Sequence, residues 1–555
     1  MTAEGVAAPG RERVWGLSVG AWLGVACGLH VALGLLLYEP TLFPGGDNAG
    51  YMILGKALRT FSGYRDLYLP GAPLHAKYPP FYPVVLAGLG WLGGLQLFKL
   101  ASLALTTAAV ALTGLLGRRW LGARLGTAAA LVVAANPVLL EYGHYVLSEA
   151  PFVALVLLSL WALDEGSPWP AWAGLAAAAA AFLTRTAGLP LLAAAVLAPA
   201  AARRWREAAL AAAVAVAAAG GWAAWQHVAA PEQASYLRQL VLVNPYVPEQ
   251  GTVGAAGLFV RGARNVWSYV SEVLPGSLTG GPAGSAAPGA GSELLTAAGL
   301  AVAALALAGW LRRAVGRIGV AEIFAVLYAG LIALWPSVWT DRRFLLPLLP
   351  VVLLYALGGA RTLVELAAAP GRDGEGRRAD RGRAGAASGG AGAGGAPGGS
   401  RAWIGAAAAA VAIGAAGLAY VGSTAPGRVE CVAAYRSGAP CEPPALASFF
   451  EAARWAREGT PADAIIANRK PRLFYLVSNR RGDVYRFTGD AELLLRGLDA
   501  MGASYVVVDE ISGTTARYLL PAVRAHADRF AVVHRGGSPP TWVLAYRPPP
   551  DTALR

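Results

Sequence analysis

Residues 97–119 read LFKLASLALTTAAVALTGLLGRR. The apolar run at 97–116 is long enough to cross a bilayer as a helix, which takes about 20 residues, and two arginines close it. The same grammar repeats along the chain. Apolar runs lie at 15–37, 97–116, 125–141, 150–163, 171–184, 187–201, 208–225, 293–311, 320–336, 344–360 and 402–421. They predict a polytopic α-helical membrane protein with about eleven transmembrane helices; the runs at 150–163, 171–184 and 187–201 are short, and some of them read as broken helices. Composition agrees. Of 555 residues, 56% are hydrophobic and only 14% charged, against about 25% charged in a soluble domain, and the mean hydropathy is +0.47. Disorder over most of the chain is excluded, and three cysteines cannot staple a secreted disulfide scaffold. Arg11 and Arg13 precede the first run as in a signal peptide, but its apolar core is too long for one, so it reads as a retained anchor.

The arginines orient the runs. Arg118, Arg119 and Arg124 fall in one connection, Arg203, Arg204 and Arg206 in another, and Arg312, Arg313 and Arg317 in a third; the segment from Arg361 to Arg401 adds more. Counting spans puts all four clusters on the side of the N-terminus, and the positive-inside rule makes that side cytoplasmic. The net charge of +13 is thus mostly topological; it points to membrane lipids as neighbours and not to nucleic acid. The opposite, extracytoplasmic side receives a large first loop (38–98), the segment from Gln226 to about Ser292, and everything after Val421. Residues 81–95 are apolar but open on a proline-rich break. Making them a span would put the later arginines outside, so they read as an interfacial or re-entrant helix.

The expected domains follow: a transmembrane body over 1–360, a Gly/Ala/Arg-rich flexible cytoplasmic linker over 361–401, a last transmembrane helix at 402–421, and a small extracytoplasmic α/β domain over 422–555. In that domain Phe449 to Glu458 has helical spacing, AIIA (464–467) and YVVV (505–508) read as buried strands, and Phe530–His534 with Thr541–Tyr546 flank a turn, as in a hairpin. Cys431 and Cys441 lie on the oxidising side and are expected to pair.

Ionisable residues beside spans are costly and tend to face cavities or sites. The first loop reads FPGGDNAGYMILGKALRTFSGYRDLYLPGAPLHAKYPPFYPVVLA (43–87). Asp47 precedes a helical run, either as an N-cap or as a carboxylate base at the membrane surface. Tyr51 falls one turn later on the same face. Lys77, one of four lysines in the chain, precedes Tyr78-Pro79-Pro80. Ser148-Glu149 opens the fourth run like a cap, with Glu149 well placed against the helix dipole. Arg185, between the fifth and sixth runs, and Arg342 with Arg343, after Asp341, are cations where the topology predicts few. They suit an anionic ligand such as a lipid phosphate, or snorkel to the headgroups. Glu141 and His144, one helical turn apart, offer two ligands to a divalent metal, with no third visible. No other cofactor is indicated, and there is no nucleotide-binding fingerprint.

In order along the chain, the acidic first loop, KYPPFYP, NP…SEAPF, LTRTAGL and DRRFLLPLLP resemble the bacterial branch of the GT-C glycosyltransferases, akin to protein O-mannosyltransferases and aminoarabinose transferases. The resemblance runs from about Val14 to Leu357, and the stretch from Trp455 to Tyr475 (WAREGTPADAIIANRKPRLFY) also resembles the extracytoplasmic tails of such proteins. It implies an integral multi-pass protein of the bacterial cytoplasmic (inner) membrane. Such a protein moves a sugar from a polyprenyl-phosphate-linked donor to the hydroxyl of a glycan, lipid or protein acceptor on the extracytoplasmic face, usually with inversion. By matching position, Asp47 would be the catalytic carboxylate and Glu149 a second acid. Lys77 with Tyr78, Arg185 and Arg342 or Arg343 would hold the phosphate, with Tyr51 beside them. Relatives often pair acids in the first loop, whereas Asn48 follows Asp47 here. That leaves the division of labour among Asp47, Asp66 and Glu149 open. The competing reading is a lipid or sugar transporter or flippase, which would call for inverted repeats and polar residues at mid-membrane; neither is seen in the sequence.

Overall fold

The structure is a computed structural model that describes residues 12–230, 236–245, 248–281, 290–367 and 399–547. A short hairpin (β1, Arg13–Val14; β2, Leu17–Ser18) leads into α1 (Val19–Leu36). The first loop carries α2 (Gly46–Arg59) and α3 (Phe81–Leu89). Then come α4 (Leu95–Leu121), α5 (Ala123–Ala134), α6 (Pro137–Tyr142), α7 (Glu149–Leu163), α8 (Ala171–Thr184), α9 (Leu189–Ala201) and α10 (Trp205–Ala229). Beyond them lie α11 (Tyr236–Val241), α12 (Ala255–Ser268), α13 (Leu274–Thr279), α14 (Ala290–Gly316), α15 (Val320–Leu334), α16 (Arg342–Leu345), α17 (Leu349–Ala367) and α18 (Gly399–Arg436).

All eleven apolar runs contain helix. Six of the described helices (α1, α4, α10, α14, α17 and the apolar part of α18) are long and apolar enough to cross a membrane; α5, α7, α8, α9 and α15 are shorter apolar helices. Helix is the economical form for such sequences because every backbone polar group finds its partner within the segment. One expected run is broken. Residues 125–141 divide into α5 and α6 because Pro137 cannot continue the α5 hydrogen-bond ladder, and the Asn136 side chain accepts from the Leu139 N–H to start α6. The segment 81–95 forms only the nine-residue α3, about 14 Å long, too short to cross a hydrocarbon core of about 30 Å. Trp91 and Leu92 just after it are 68% and 80% exposed, as an interfacial segment requires. The expected linker starts late: α17 continues to Ala367, while residues 368–398 lie outside the described residues. The last apolar helix also overruns its expected end at 421, continuing to Arg436.

Helix packing relies on close backbone approach where α14 crosses α17. A Cβ at Gly309 would sit 1.9 Å from the Tyr355 carbonyl oxygen, and one at Gly359 would sit 2.0 Å from that of Leu305. Small residues are the usual means of bringing membrane helices this close.

The expected disulfide joins Cys431, in the last turns of α18, to Cys441 just beyond it. The C-terminal domain then adds α19 (Pro444–Gly459), β3 (Ile466–Ala467), α20 (Pro471–Ser478), α21 (Ala491–Met501), β4 (Tyr505–Val508), α22 (Leu520–Ala525), β5 (Phe530–Gly536) and β6 (Thr541–Tyr546). Its sheet has the order β3-β4-β6-β5; β3 and β4 are parallel, and β4–β6 and β6–β5 antiparallel. YVVV is apolar at successive positions because both faces of the sheet are covered. Val507 packs with Phe449 and Phe474 from α19 and α20. Val506 and Val508 pack with Leu494 and Leu498 of α21 on the other side. Ala49 of α2 is buried in the Phe449–Phe474 cluster, so the first loop and the tail share a core.

Candidate functional site

The first loop is held in place by buried polar contacts to the membrane helices. Lys99 of α4, 2% exposed, donates to the Thr41 carbonyl at 2.6 Å. From the end of α10, Trp225 and Gln226 donate to the carbonyls of His75 and Ala76, both at 2.9 Å. Within the loop, His75 Nδ1 donates to Asp66 at 2.9 Å, and its Nε2 accepts the Tyr78 N–H at 2.7 Å. This relay fixes Tyr78, whose hydroxyl donates to Asp47 Oδ1 at 2.6 Å.

Asp47 lies in the first turn of α2, but the N-cap is Gly45 and Asp47 makes no capping hydrogen bond. The N-cap reading of Asp47 therefore does not hold; its oxygens are engaged elsewhere. Besides Tyr78, Asp47 Oδ2 lies 3.3 Å from an Arg343 nitrogen, and Oδ1 lies 3.8 Å from Arg472. Gly50 leaves room for this closure: a Cβ there would lie 3.2 Å from the Tyr78 ring and 3.4 Å from the Arg472 guanidinium.

Glu149 is fully buried as the first residue of α7. One of its oxygens receives Arg185 and also Arg343 Nε, the latter at 2.8 Å; the other is buried with no protein partner among the described residues. Arg185 reaches it from the break between α8 and α9, where the backbone is extended. Ser148, expected to cap α7, makes no capping bond. Its hydroxyl instead accepts from Tyr51 at 2.9 Å and from Arg185 at 3.0 Å.

The pocket thus gathers Asp47, Tyr51, Lys77, Tyr78, Ser148, Glu149, Arg185 and Arg343. Lys77 stands with its ammonium 5.4 Å from the Tyr78 ring centre. Arg342 takes another course: it pairs with Glu141 at 2.9 Å, and Glu141 also accepts from the Tyr145 hydroxyl at 3.1 Å. Arg342 is thus held by Glu141, and Arg343 by Asp47 and Glu149. His144 is buried, and among the described residues no group of three or more His, Cys, Asp and Glu side chains is placed to hold a metal ion.

Sequence reasoning missed two participants. Arg472, at the start of α20 in the tail, donates to the Tyr78 hydroxyl at 3.0 Å; the sequence marked the stretch around it but gave this arginine no role. His75 carried no signal beyond its place in the loop.

Burial works against the Asp47 carboxylate. The Tyr78 hydrogen bond and the charges of Arg343, Lys77 and Arg472 outweigh it and hold its pKa below the ordinary value. Burial pulls the Lys77 ammonium down, and neighbouring Asp47 opposes this only in part. Burial keeps the Tyr78 phenol protonated, well above its usual range. Two carboxylates, Asp47 and Glu149, meet four cations here, and Asp66 and Asp483 act on Lys77 and Arg472 from beside them.

No protein-family model and no curated protein sequence matches the chain. Solved structures do share its architecture. ArnT from Cupriavidus metallidurans bound to undecaprenyl phosphate superposes with a TM-score of 0.53 at 16% identity, over 95% of this chain and 98% of that one. The archaeal oligosaccharyltransferase AglB from Archaeoglobus fulgidus, in complex with an inhibitory peptide and a dolichol-phosphate, superposes with a TM-score of 0.52 at 15% identity, over 88% of this chain and 69% of that one. The A. fulgidus oligosaccharyltransferase in complex with Zn and sulfate gives 0.54 at 13% identity, over 95% and 73%. The chain shares the fold of these structures, the GT-C fold. The resemblance seen in the sequence motifs holds at the level of fold.

Proposed function

We propose that the chain is a glycosyltransferase that takes a sugar from a polyprenyl-phosphate donor and transfers it, with inversion, to an acceptor hydroxyl on the extracytoplasmic face. The observation that carries this reading is the convergence of Asp47 with Lys77, Arg185, Arg343 and Arg472 in one side-chain cluster at the ends of the membrane helices. ArnT is bound to undecaprenyl phosphate and AglB to a dolichol-phosphate; four cations gathered around Asp47 suit the same kind of carrier.

In the proposed step, Asp47 takes the proton of the acceptor hydroxyl. The oxygen forms its bond to the anomeric carbon as the carbon–oxygen bond to the carrier phosphate breaks. The departing phosphate keeps the electron pair, and its charge grows against Arg343, Arg185, Arg472 and Lys77. Cations fixed in advance against developing charge are often the largest contribution in such a site. Glu149, buried and engaged by two arginines, acts in this scheme as a positioning residue for Arg185 and Arg343 and not as the second catalytic acid. Asp66 positions Tyr78 through His75. The donor needs no nucleotide.

The test is mass analysis of lipid-linked sugars and glycosylated products after incubating membranes that contain or lack the chain with candidate polyprenyl-phosphate sugars. Transfer that requires the chain supports the reading. Flux of an intact lipid or sugar across proteoliposomes, with no transfer to any acceptor, would favour the transporter reading instead.

A further inference from the structure

Arginines at the other ends of the same helices surround a second cavity of about 1490 Å³. Glu149 opens α7 at the Asp47 pocket, and Asp164 follows its last residue and lines this cavity. The separation along the helix axis is about 22 Å. The cavity is therefore distinct from the proposed transfer site and lies at the end that the positive-inside rule assigns to the cytoplasm.

Its charge is lopsided. Seven arginines line it, against three carboxylates, Asp164, Glu165 and Glu322. The arginines come from separate segments: the end of α4, the α9–α10 turn, the end of α14 with its connection to α15, and α17. The floor is built. Arg313 donates to Glu322 at 2.7 Å and lies 3.8 Å from Asp164; its guanidinium stands 4.0 Å over Trp120, which stacks on Tyr355. Tyr355 in turn donates to Glu322 at 3.1 Å.

The rim is looser. Arg317 pairs with Glu165. Arg312 and Arg361 share Glu365, at 3.2 and 2.7 Å. Arg118 meets Glu12 and Arg204 meets Glu207. With these three outer acids counted, seven arginines still face six carboxylates. The outer pairs are partly exposed, and exposed pairs are worth only about 0–1 kcal/mol, so a phosphate can displace them. Leu115, Leu160, Leu163 and Val320 supply an apolar wall beside the charges.

We propose that this cavity binds the phosphate group of an anionic membrane phospholipid, the phosphate on the rim arginines and the start of the acyl chains against the apolar wall. The required chemistry is a phosphate anion joined to an apolar body; a basic pocket between helices on the cytoplasmic side is a known means of holding such headgroups.

The test uses the full-length chain, purified in neutral detergent and stripped of lipid. Binding of phosphatidylglycerol and of phosphatidylcholine is measured by native mass spectrometry, with inorganic phosphate as competitor. The variants are Arg312→Gln with Arg317→Gln, whose side chains are 56% and 43% exposed, and Arg361→Gln alone, 45% exposed. None of these belongs to the Asp47 pocket. Phosphatidylglycerol is expected to bind well above phosphatidylcholine, to resist millimolar phosphate, and to weaken roughly thirtyfold in the double variant and about fivefold in the single one. Displacement by millimolar phosphate would show that the cavity takes a soluble phosphate compound, overturning the lipid assignment. Equal binding of the two lipids, or undiminished binding by variants of unchanged elution profile, would overturn the site itself.

Discussion

Replacing Asp47 by Asn removes one negative charge and little else. The amide oxygen still accepts from the Tyr78 hydroxyl, which donates to Oδ1 at 2.6 Å in the native protein. Arg343 keeps its 2.8 Å contact with Glu149. The side chain is about one-third exposed, so the fold loses little, and the variant should reach the membrane in normal amounts with only a slightly lowered melting temperature. The chemical loss is large. A positioned base contributes about 10²–10⁴-fold, and Asn cannot take a proton. Transfer by D47N should fall by roughly that factor, in kcat more than in KM for the donor, since the cations that hold the phosphate remain. The pH profile gives a second handle. The Asp47 pKa lies below the ordinary aspartate value of 3.8, so the base stays ionised down into that range, and transfer should show no acid limb from this group above it. The sign for stability is the same: the contribution of the paired Asp47 is present above its unfolded-state pKa and lost as pH falls through the depressed folded-state value. The assay is transfer of labelled sugar from a polyprenyl-phosphate donor by purified protein across a pH series. Wild-type rates from a folded D47N would refute the assignment of Asp47 as base.

Further expectations follow from other contacts. Arg472→Ala removes the cation supplied by the tail and its bond to Tyr78; charge-assisted hydrogen bonds are worth about 1.5–3 kcal/mol, so kcat/KM should drop roughly tenfold to a hundredfold in steady-state transfer assays. Glu149→Gln leaves Arg185 and Arg343 without their buried counter-charge; breaking a buried pair costs about 3–5 kcal/mol, seen as a lower melting temperature and weaker binding of polyprenyl phosphate. In the tail, burial raises the Asp509 pKa from 3.8 to about 6, so its protonated form stabilises the fold below its unfolded-state pKa and that stability is lost as pH rises through about 6. Asp509→Asn should accordingly raise stability at pH 7.5 by about 1–3 kcal/mol, the gain vanishing in acid, as measured by thermal melts at both pH values. Gly359→Leu places a side chain where even a Cβ would lie 2.0 Å from the Leu305 carbonyl oxygen; α14 and α17 cannot then close, and size-exclusion profiles should show loss of monodisperse protein.

Much of the architecture was legible because lipid-crossing helices and sheet strands leave simple apolar signatures. The run 171–184 coincides with α8, and YVVV coincides with β4. Boundaries slipped where composition stays apolar or small past the expected end, as in α18 beyond 421. Asp47, Lys77, Glu149, Arg185 and Arg343, which the structure brings together, stood out in the sequence because charged residues beside membrane spans are rare. Their partners were harder to read. Asp47 sits where a cap would sit, and only the fold shows that Tyr78 and Arg343 take its oxygens. Arg342 and Arg343 are neighbours in sequence, but their side chains leave the short α16 towards different acids, so sequence alone does not separate them. Arg472 is 425 residues from Asp47; it reaches the pocket only because Ala49 and α20 share one packed core. Local patterns carry no trace of that.

The most direct measurement is an electron cryomicroscopy map of the chain with a bound polyprenyl phosphate. The phosphate is expected beside Asp47, with oxygens about 2.7–2.9 Å from nitrogens of Arg343 and of at least one of Arg185, Arg472 and Lys77. A carrier phosphate bound elsewhere, with that site vacant and its ion pairs undisturbed, would contradict the proposed function.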